Sequence, residues 1–175
     1  MTDIIIQRMQ SNNVKQVAEM ILEYNLGYWS ELDLEQEIKR SDSIGLIAKK
    51  SRKVVGFIIA RLIMLDFSFT QKHNVHDLKA ANSSNEIEIY NIAVSKNLRR
   101  KQIGKLLINH LLANFAQAGS AVVWLEVRES NISAIDFYKS NSFTFCYKRR
   151  NFYTNPNENA IIMKLETESS KNWKK

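Results

Sequence analysis

Glu126 is the residue whose surroundings suit its charge least. It lies in Ala121–Val127, an otherwise apolar run, on the same strand parity as Val122 and Trp124. A carboxylate placed there is costly unless it is paired or put to use. Tyr138 falls on the next helical stretch, close enough in sequence for its phenol to face the same place. A carboxylate and a phenol together can move protons. Upstream, Ile92-Ala93-Val94 precedes Arg99-Arg100-Lys101-Gln102-Ile103-Gly104-Lys105. There a strand ends, a basic loop turns and a helix begins, its first backbone N–H groups free to meet an anion. A pyrophosphate suits such a loop. A plain solvated loop before an ordinary helix fits the local pattern equally well.

The elements that must hold these residues follow from periodicity. Asp3–Arg8 is an isoleucine-rich strand, and Asn12 is expected to cap a helix carrying Val14, Val17, Ile21 and Tyr24. Ser30 and Asp33 form a capping box ahead of Leu34 and Ile38. Ser43–Lys49 and Val54–Met64 read as strands around a turn at Ser51-Arg52-Lys53. Asp66–Asn85 is polar and aperiodic, a long connection of the kind that is usually mobile or functional. Glu86–Val94 resumes a strand, with Ile87 and Ile89 opposing Glu86, Glu88 and Tyr90. Ile103–Ala118 is a helix with Ile103, Leu106, Leu107, Leu111 and Phe115 on one face and Gly119 as its stop. Ser130 or Asn131 is expected to cap a helix through Ser140. Phe143–Lys148 and Asn159–Leu165 close the series as strands on either side of a polar loop, Arg149–Glu158. Strands interleaved with helices indicate an α+β (mixed α/β) layer fold. One domain is expected over residues 1–166, with 167–175 as a flexible tail.

The totals narrow the functional classes. A chain of 175 residues suits one core. The single cysteine, Cys146, excludes an internal disulfide and most plausibly packs. His73, His76 and His110 lack metal-ligand spacing, so no metal is expected. No apolar run nears the roughly 20 residues of a membrane span. Met1-Thr2-Asp3 does not begin a secretion signal. These points indicate the cytoplasm and no membrane partner. The net charge of +7 raises the odds of a polyanionic partner: nucleic acid, ribosome or a phosphorylated cofactor.

The stretch Ile92–Gly104 resembles the coenzyme A loop of the GNAT acetyltransferase superfamily, whose pattern is Arg/Gln-x-x-Gly-x-Gly/Ala. Arg99 and Gly104 match its ends, and Gln102 stands at its first glycine. The likeness continues through Trp124–Asn131, Ala134, Phe137-Tyr138, Arg149–Tyr153 and Ala160–Met163, where it resembles the ribosomal-protein-alanine N-acetyltransferase branch. The N-terminal half matches more faintly, through Tyr28-Trp29-Ser30. This resemblance implies a GNAT-like, mostly antiparallel twisted sheet of about seven strands with about four helices. It also implies a cofactor cleft between the fourth and fifth strands.

Function follows from the same likeness. Acetyl-CoA would be held by Ile92, Ala93, Val94, Arg99, Arg100, Lys101, Gln102, Ile103, Gly104 and Lys105, with Asn131 also in contact. Glu126 would accept a proton and Tyr138 donate one, while Glu88, Tyr90 and Tyr153 lie on the acceptor side. The chemistry suits these types: an N-terminal ammonium, pKa about 8, must lose a proton before it attacks a thioester. The departing thiolate gains from a phenolic proton. The acceptor would be a protein N-terminus, plausibly of a small-subunit ribosomal protein. A lysine, a polyamine or another small amine is the alternative. A basic RNA- or ribosome-binding module with a vestigial site is a third reading, and RNA binding is not expected as the main function. Plainer roles stay open for single residues. Glu126 could pair with Arg128 or a lysine, Tyr138 could simply pack, Glu88 could be the base, and Phe152 and Tyr153 could cover a core edge.

Overall fold

The computed structural model describes residues 4–63, 85–115 and 121–167. The polar segment up to residue 84, the helix stop at Gly119 and the tail from residue 168 lie outside the described residues. The elements run β1 (Ile4–Arg8), α1 (Ser11–Glu23), α2 (Glu31–Glu37), β2 (Ser43–Lys50), β3 (Lys53–Ile63), β4 (Asn85–Val94), a 3-10 turn (Lys96–Leu98), α3 (Ile103–Phe115), β5 (Ala121–Arg128), α4 (Ile132–Ser140), β6 (Thr144–Thr154) and β7 (Asn157–Thr167). Seven strands form one mixed sheet in the order β1-β2-β3-β4-β5-β7-β6. The pairs β1–β2, β2–β3, β5–β7 and β6–β7 are antiparallel, and β4–β5 is parallel.

The chain divides into two compact units: Met1–Arg61 with Tyr90–Asn114, and Leu62–Ile89 with Phe115–Lys175. In the first, Val14, Val17 and Ile21 bury one face of α1 against Leu34, Ile47, Phe57 and Ile59. The cap of α1 differs from expectation. The helix starts at Ser11 with Gln10 as N-cap, and Asn13 Oδ1 accepts the Gln10 N–H at 3.1 Å. Asn12 therefore lies inside the first turn. The Ser30 box forms as expected: the Ser30 N–H donates to Asp33 Oδ2 at 2.8 Å, and the Asp33 N–H donates to Ser30 Oγ at 3.1 Å. Gly56 on β3 permits a close approach, because a Cβ there would lie 2.9 Å from the Ala93 carbonyl oxygen. That contact seats the end of β4 and the start of α3. On α3 the buried stripe is Ile103, Leu107, Ile108 and Leu111, whereas Leu106 is 37% exposed. The stripe follows i, i+4, i+5 and i+8, which turns Leu106 outward.

In the second unit, Trp124, Ala160 and Ile162 form a core against which Val122, Tyr147, Phe152 and Tyr153 pack. The β4–β5 ladder runs from Asn85↔Ala121 to Ile89↔Leu125. Glu86 and Glu88 alternate with Ile87 and Ile89 as expected and are as buried as they are, so β4 is covered on both sides. A correction concerns Arg149–Glu158. It is strand for most of its length, with Tyr153↔Glu158 and Thr154↔Asn157 paired around a turn at Asn155-Pro156.

Candidate active site

The loop after β4 gains its shape from two residues with left-handed backbone, Arg100 at φ +61° and Gln102 at φ +62°. Alternation of ordinary and left-handed residues turns successive N–H groups toward one concavity, a nest suited to an anion. Helix α3 follows at once. The Leu106 N–H is taken by the Gln102 carbonyl at 3.0 Å, so those of Ile103, Gly104 and Lys105 have no helical acceptor. Arg99, Arg100, Lys101 and Lys105 are exposed around them. Donors, dipole and cations thus converge, an arrangement suited to an anion. Ile92 and Val94 are half-buried and Ala93 is buried, which fixes the strand end. The Tyr24 hydroxyl accepts the Lys96 N–H at 3.4 Å, and its ring receives the Lys96 ammonium at 5.2 Å and the Arg99 guanidinium at 5.6 Å.

In the second unit, Glu126 is half-buried, its side chain 15% exposed, and Arg149 Nη1 donates to its Oε1 at 3.3 Å. Arg149 is thus a partner of Glu126 that the local pattern did not single out. Arg128 pairs with Glu158 at 3.1 Å, donates to the carbonyl of Asn155 at 3.0 Å, and stacks 4.1 Å from the Tyr153 ring centre. The registers Glu126↔Ile162 and Tyr147↔Ile162 put Glu126 and Tyr147 on one face, either side of β7. Burial first, then the negative charge of Glu126, pushes the phenols of Tyr147 and Tyr153 up to about 12. Glu126 is thus flanked by two neutral phenols and one guanidinium.

Tyr138 is buried on α4 between Phe137, at 5.4 Å, and Phe143, at 5.5 Å. Burial, then the neighbouring Tyr153, raises its phenol well above the ordinary range, so it rests in the neutral form. Asn131 is the N-cap of α4, its Oδ1 accepting the Ala134 N–H at 3.2 Å. Glu88 is buried on β4 in register with Trp124, two residues from Glu126 on β5. Tyr90 is 38% exposed, and Tyr153 is half-buried beside Phe152. Glu126, Tyr138, Asn131, Glu88 and Tyr153 thus belong to one unit. The loop residues and Tyr90 belong to the other.

The acetyltransferase (GNAT) family model matches residues 14–143. The chain belongs to that family. Over 82 residues it is 43% identical to the [ribosomal protein bS18]-alanine N-acetyltransferase of Escherichia coli K12, covering 46% of this chain and 55% of the relative. The chain thus spans about half the length of that curated relative. The Haemophilus influenzae protein of the same name is 26% identical over 163 residues, 91% of this chain and 96% of the relative. The crystal structure of the E. coli ribosomal-protein-S18-alanine N-acetyltransferase superposes with a TM-score of 0.73 at 26% identity over 95% of each chain.

Two residues of this GNAT chain's site were missed by sequence reasoning, Arg149 and Tyr147. Arg149 lay in the stretch expected to be a loop, whereas Tyr147 lay on the expected strand Phe143–Lys148 and meets Glu126 only through the register of β7. Among the described residues no cluster of three or more His, Cys, Asp or Glu side chains could hold a metal, and no helix is long and apolar enough to cross a membrane.

Proposed function

We propose that this chain transfers the acetyl group of acetyl-CoA to the α-amine of a protein N-terminus, with an alanine-led ribosomal protein as acceptor. The catalytic domain is residues 1–166, and a ribosomal acceptor assigns the reaction to the cytoplasm. The observation that carries the reading is the paired left-handed backbone at Arg100 and Gln102 directly before α3. That arrangement supplies a diphosphate cradle in a chain of an acetyltransferase family.

Acetyl-CoA brings the acetyl group as a thioester. The N–H groups of Ile103, Gly104 and Lys105 hold its pyrophosphate, and Arg100 and Lys101 add charge. Glu126 takes the proton from the acceptor ammonium, directly or through water, leaving a neutral amine to form the new C–N bond. Tyr138 gives its proton to the sulfur as the C–S bond breaks, and the second proton that the new amide nitrogen must lose restores the Tyr138 phenol. Arg149 offsets the cost of half-burying Glu126. Glu88, Tyr90 and Tyr153 are each assigned to the acceptor, and Asn131 keeps amide N–H donors for the cofactor while its oxygen caps α4. The alanine acceptor rests on the relatives' names together with the Arg149–Tyr153 block.

The test offers acetyl-CoA and three acceptors: a peptide with a free N-terminal alanine, the same peptide N-blocked with an internal lysine, and spermidine. Mass spectrometry is expected to find the acetyl group on the free N-terminus. Preferential acetylation of lysine or spermidine overturns the acceptor. No transfer at all, with tight RNA binding, overturns the enzyme.

A further inference from the structure

Glu37, at the end of α2, is a carboxylate only 4% exposed. Arg61 on β3 meets it with two hydrogen bonds, Nε to Oε1 at 2.8 Å and Nη2 to Oε2 at 2.5 Å. A fork of this kind fixes the guanidinium plane. That plane lies 4.8 Å from the centre of the Tyr90 ring. Tyr90 in turn meets Trp29, on the α1–α2 connection, edge to face at 6.4 Å and 64°. All four side chains lie within the first unit. Tyr90 is 38% exposed, and it shares a strand face with Glu88, two residues before it on β4.

A buried ion pair is weak evidence for stability, since its desolvation offsets its attraction. Here the pair's remaining face carries an aromatic ring that reaches solvent. We propose that Arg61 is a positioning residue for the acceptor peptide: clamped by Glu37, its guanidinium fixes the rings of Tyr90 and Trp29 as a wall beside which the peptide lies. Tyr90 gives the peptide a rigid apolar flank, and Arg61 sets its angle. Arg61 itself does not touch the acceptor or the reacting atoms. The inference rests on the acetyltransferase reading above and on Tyr90 being on the acceptor side.

Arg61→Ala alone leaves Glu37 buried and uncompensated, and that variant fails by misfolding. The informative variant is therefore Glu37→Met with Arg61→Met, which removes both charges at similar volume. It is compared with Arg61→Lys, Tyr90→Ala and the triple combination, using acetyl-CoA and the alanine-led peptide. The Met pair is expected to raise the peptide KM about 5- to 10-fold, between the exposed and the desolvated limits of a cation–π contact, since the Tyr90 ring is partly exposed. Its kcat and acetyl-CoA KM stay within about twofold of the parent, the signature of lost uniform binding. Arg61→Lys keeps a charge for Glu37 but lacks the flat face, so its KM is intermediate. Tyr90→Ala raises KM at least as much as the Met pair. Adding the Met pair to Tyr90→Ala adds nothing, because the pair acts through the ring. A folded Met pair with the parent's KM, or effects that multiply with Tyr90→Ala, overturns the proposal while leaving the enzyme intact. Tyr90→Ala with unchanged KM overturns the acceptor-side assignment and this proposal with it. Absence of transfer by the parent overturns the enzyme reading itself.

Discussion

Gln102→Gly tests whether the cofactor loop works through its backbone. Gln102 occupies the position of the family's first glycine, with φ +62°. An L-residue in that region costs about 1–2 kcal/mol, which glycine relieves. Glycine also frees the unfolded chain, an opposing term of about 0.5–1 kcal/mol. The net is a gain of zero to about 1.5 kcal/mol, or a Tm rise of up to about 4 °C for a chain this size. Because the N–H remains in place, acetyl-CoA affinity stays within about twofold by calorimetry, against about tenfold for each 1.4 kcal/mol of any lost contact. Gln102→Val supplies the contrast: a β-branched residue resists positive φ, so both Tm and affinity fall. A large loss of affinity in Gln102→Gly would refute the reasoning and make the side chain a ligand.

Replacing Arg100 and Lys101 with Ala is expected to weaken acetyl-CoA binding about tenfold at low salt, and the parent's own affinity should fall as salt rises; calorimetry at two ionic strengths checks both. Tyr138→Phe should remain folded by circular dichroism yet slow transfer about 10²–10⁴-fold, with no recovery at higher pH because the missing group is an acid. Alkaline unfolding offers a separate check. Tyr138, Tyr147 and Tyr153 are all raised, the last two to about 12, against about 10 in the unfolded chain. Between those values the folded protein holds protons that the unfolded chain has lost. Their contribution is therefore complete below pH about 10 and disappears as pH climbs toward 12, which a urea titration across that range should register.

Much of this was legible because local pattern and tertiary position agreed. The α1 stripe, the Ser30 box and the turn at Ser51 needed only spacing and propensity. Glu126 stood out because one carboxylate interrupts an apolar strand, and that strand forms. The misreadings have physical causes. Strand β6 lies at the edge of the sheet, so Arg149–Glu158 can be polar and still be strand, and the loop reading hid Arg149. Alternation gave the two faces of β4 but not what covers them: Glu86 and Glu88 are buried. Gln10 is a rare cap, and no propensity would choose it over Asn12. The Arg61–Glu37–Tyr90 cluster joins three elements far apart in sequence, which no local pattern links.

The pH–rate profile of Glu126→Gln beside Glu88→Gln, with one alanine-led peptide, bears most directly on the chemistry. If Glu126 accepts the amine's proton, Glu126→Gln lowers turnover about 10²–10⁴-fold at neutral pH with little change in acetyl-CoA affinity. The loss shrinks as pH rises past the amine's value of about 8, where the acceptor is already neutral. Glu88→Gln should keep the parent's profile. The opposite pattern, a parent-like Glu126→Gln and a Glu88→Gln that loses both rate and profile, would give the base to Glu88 and contradict the account.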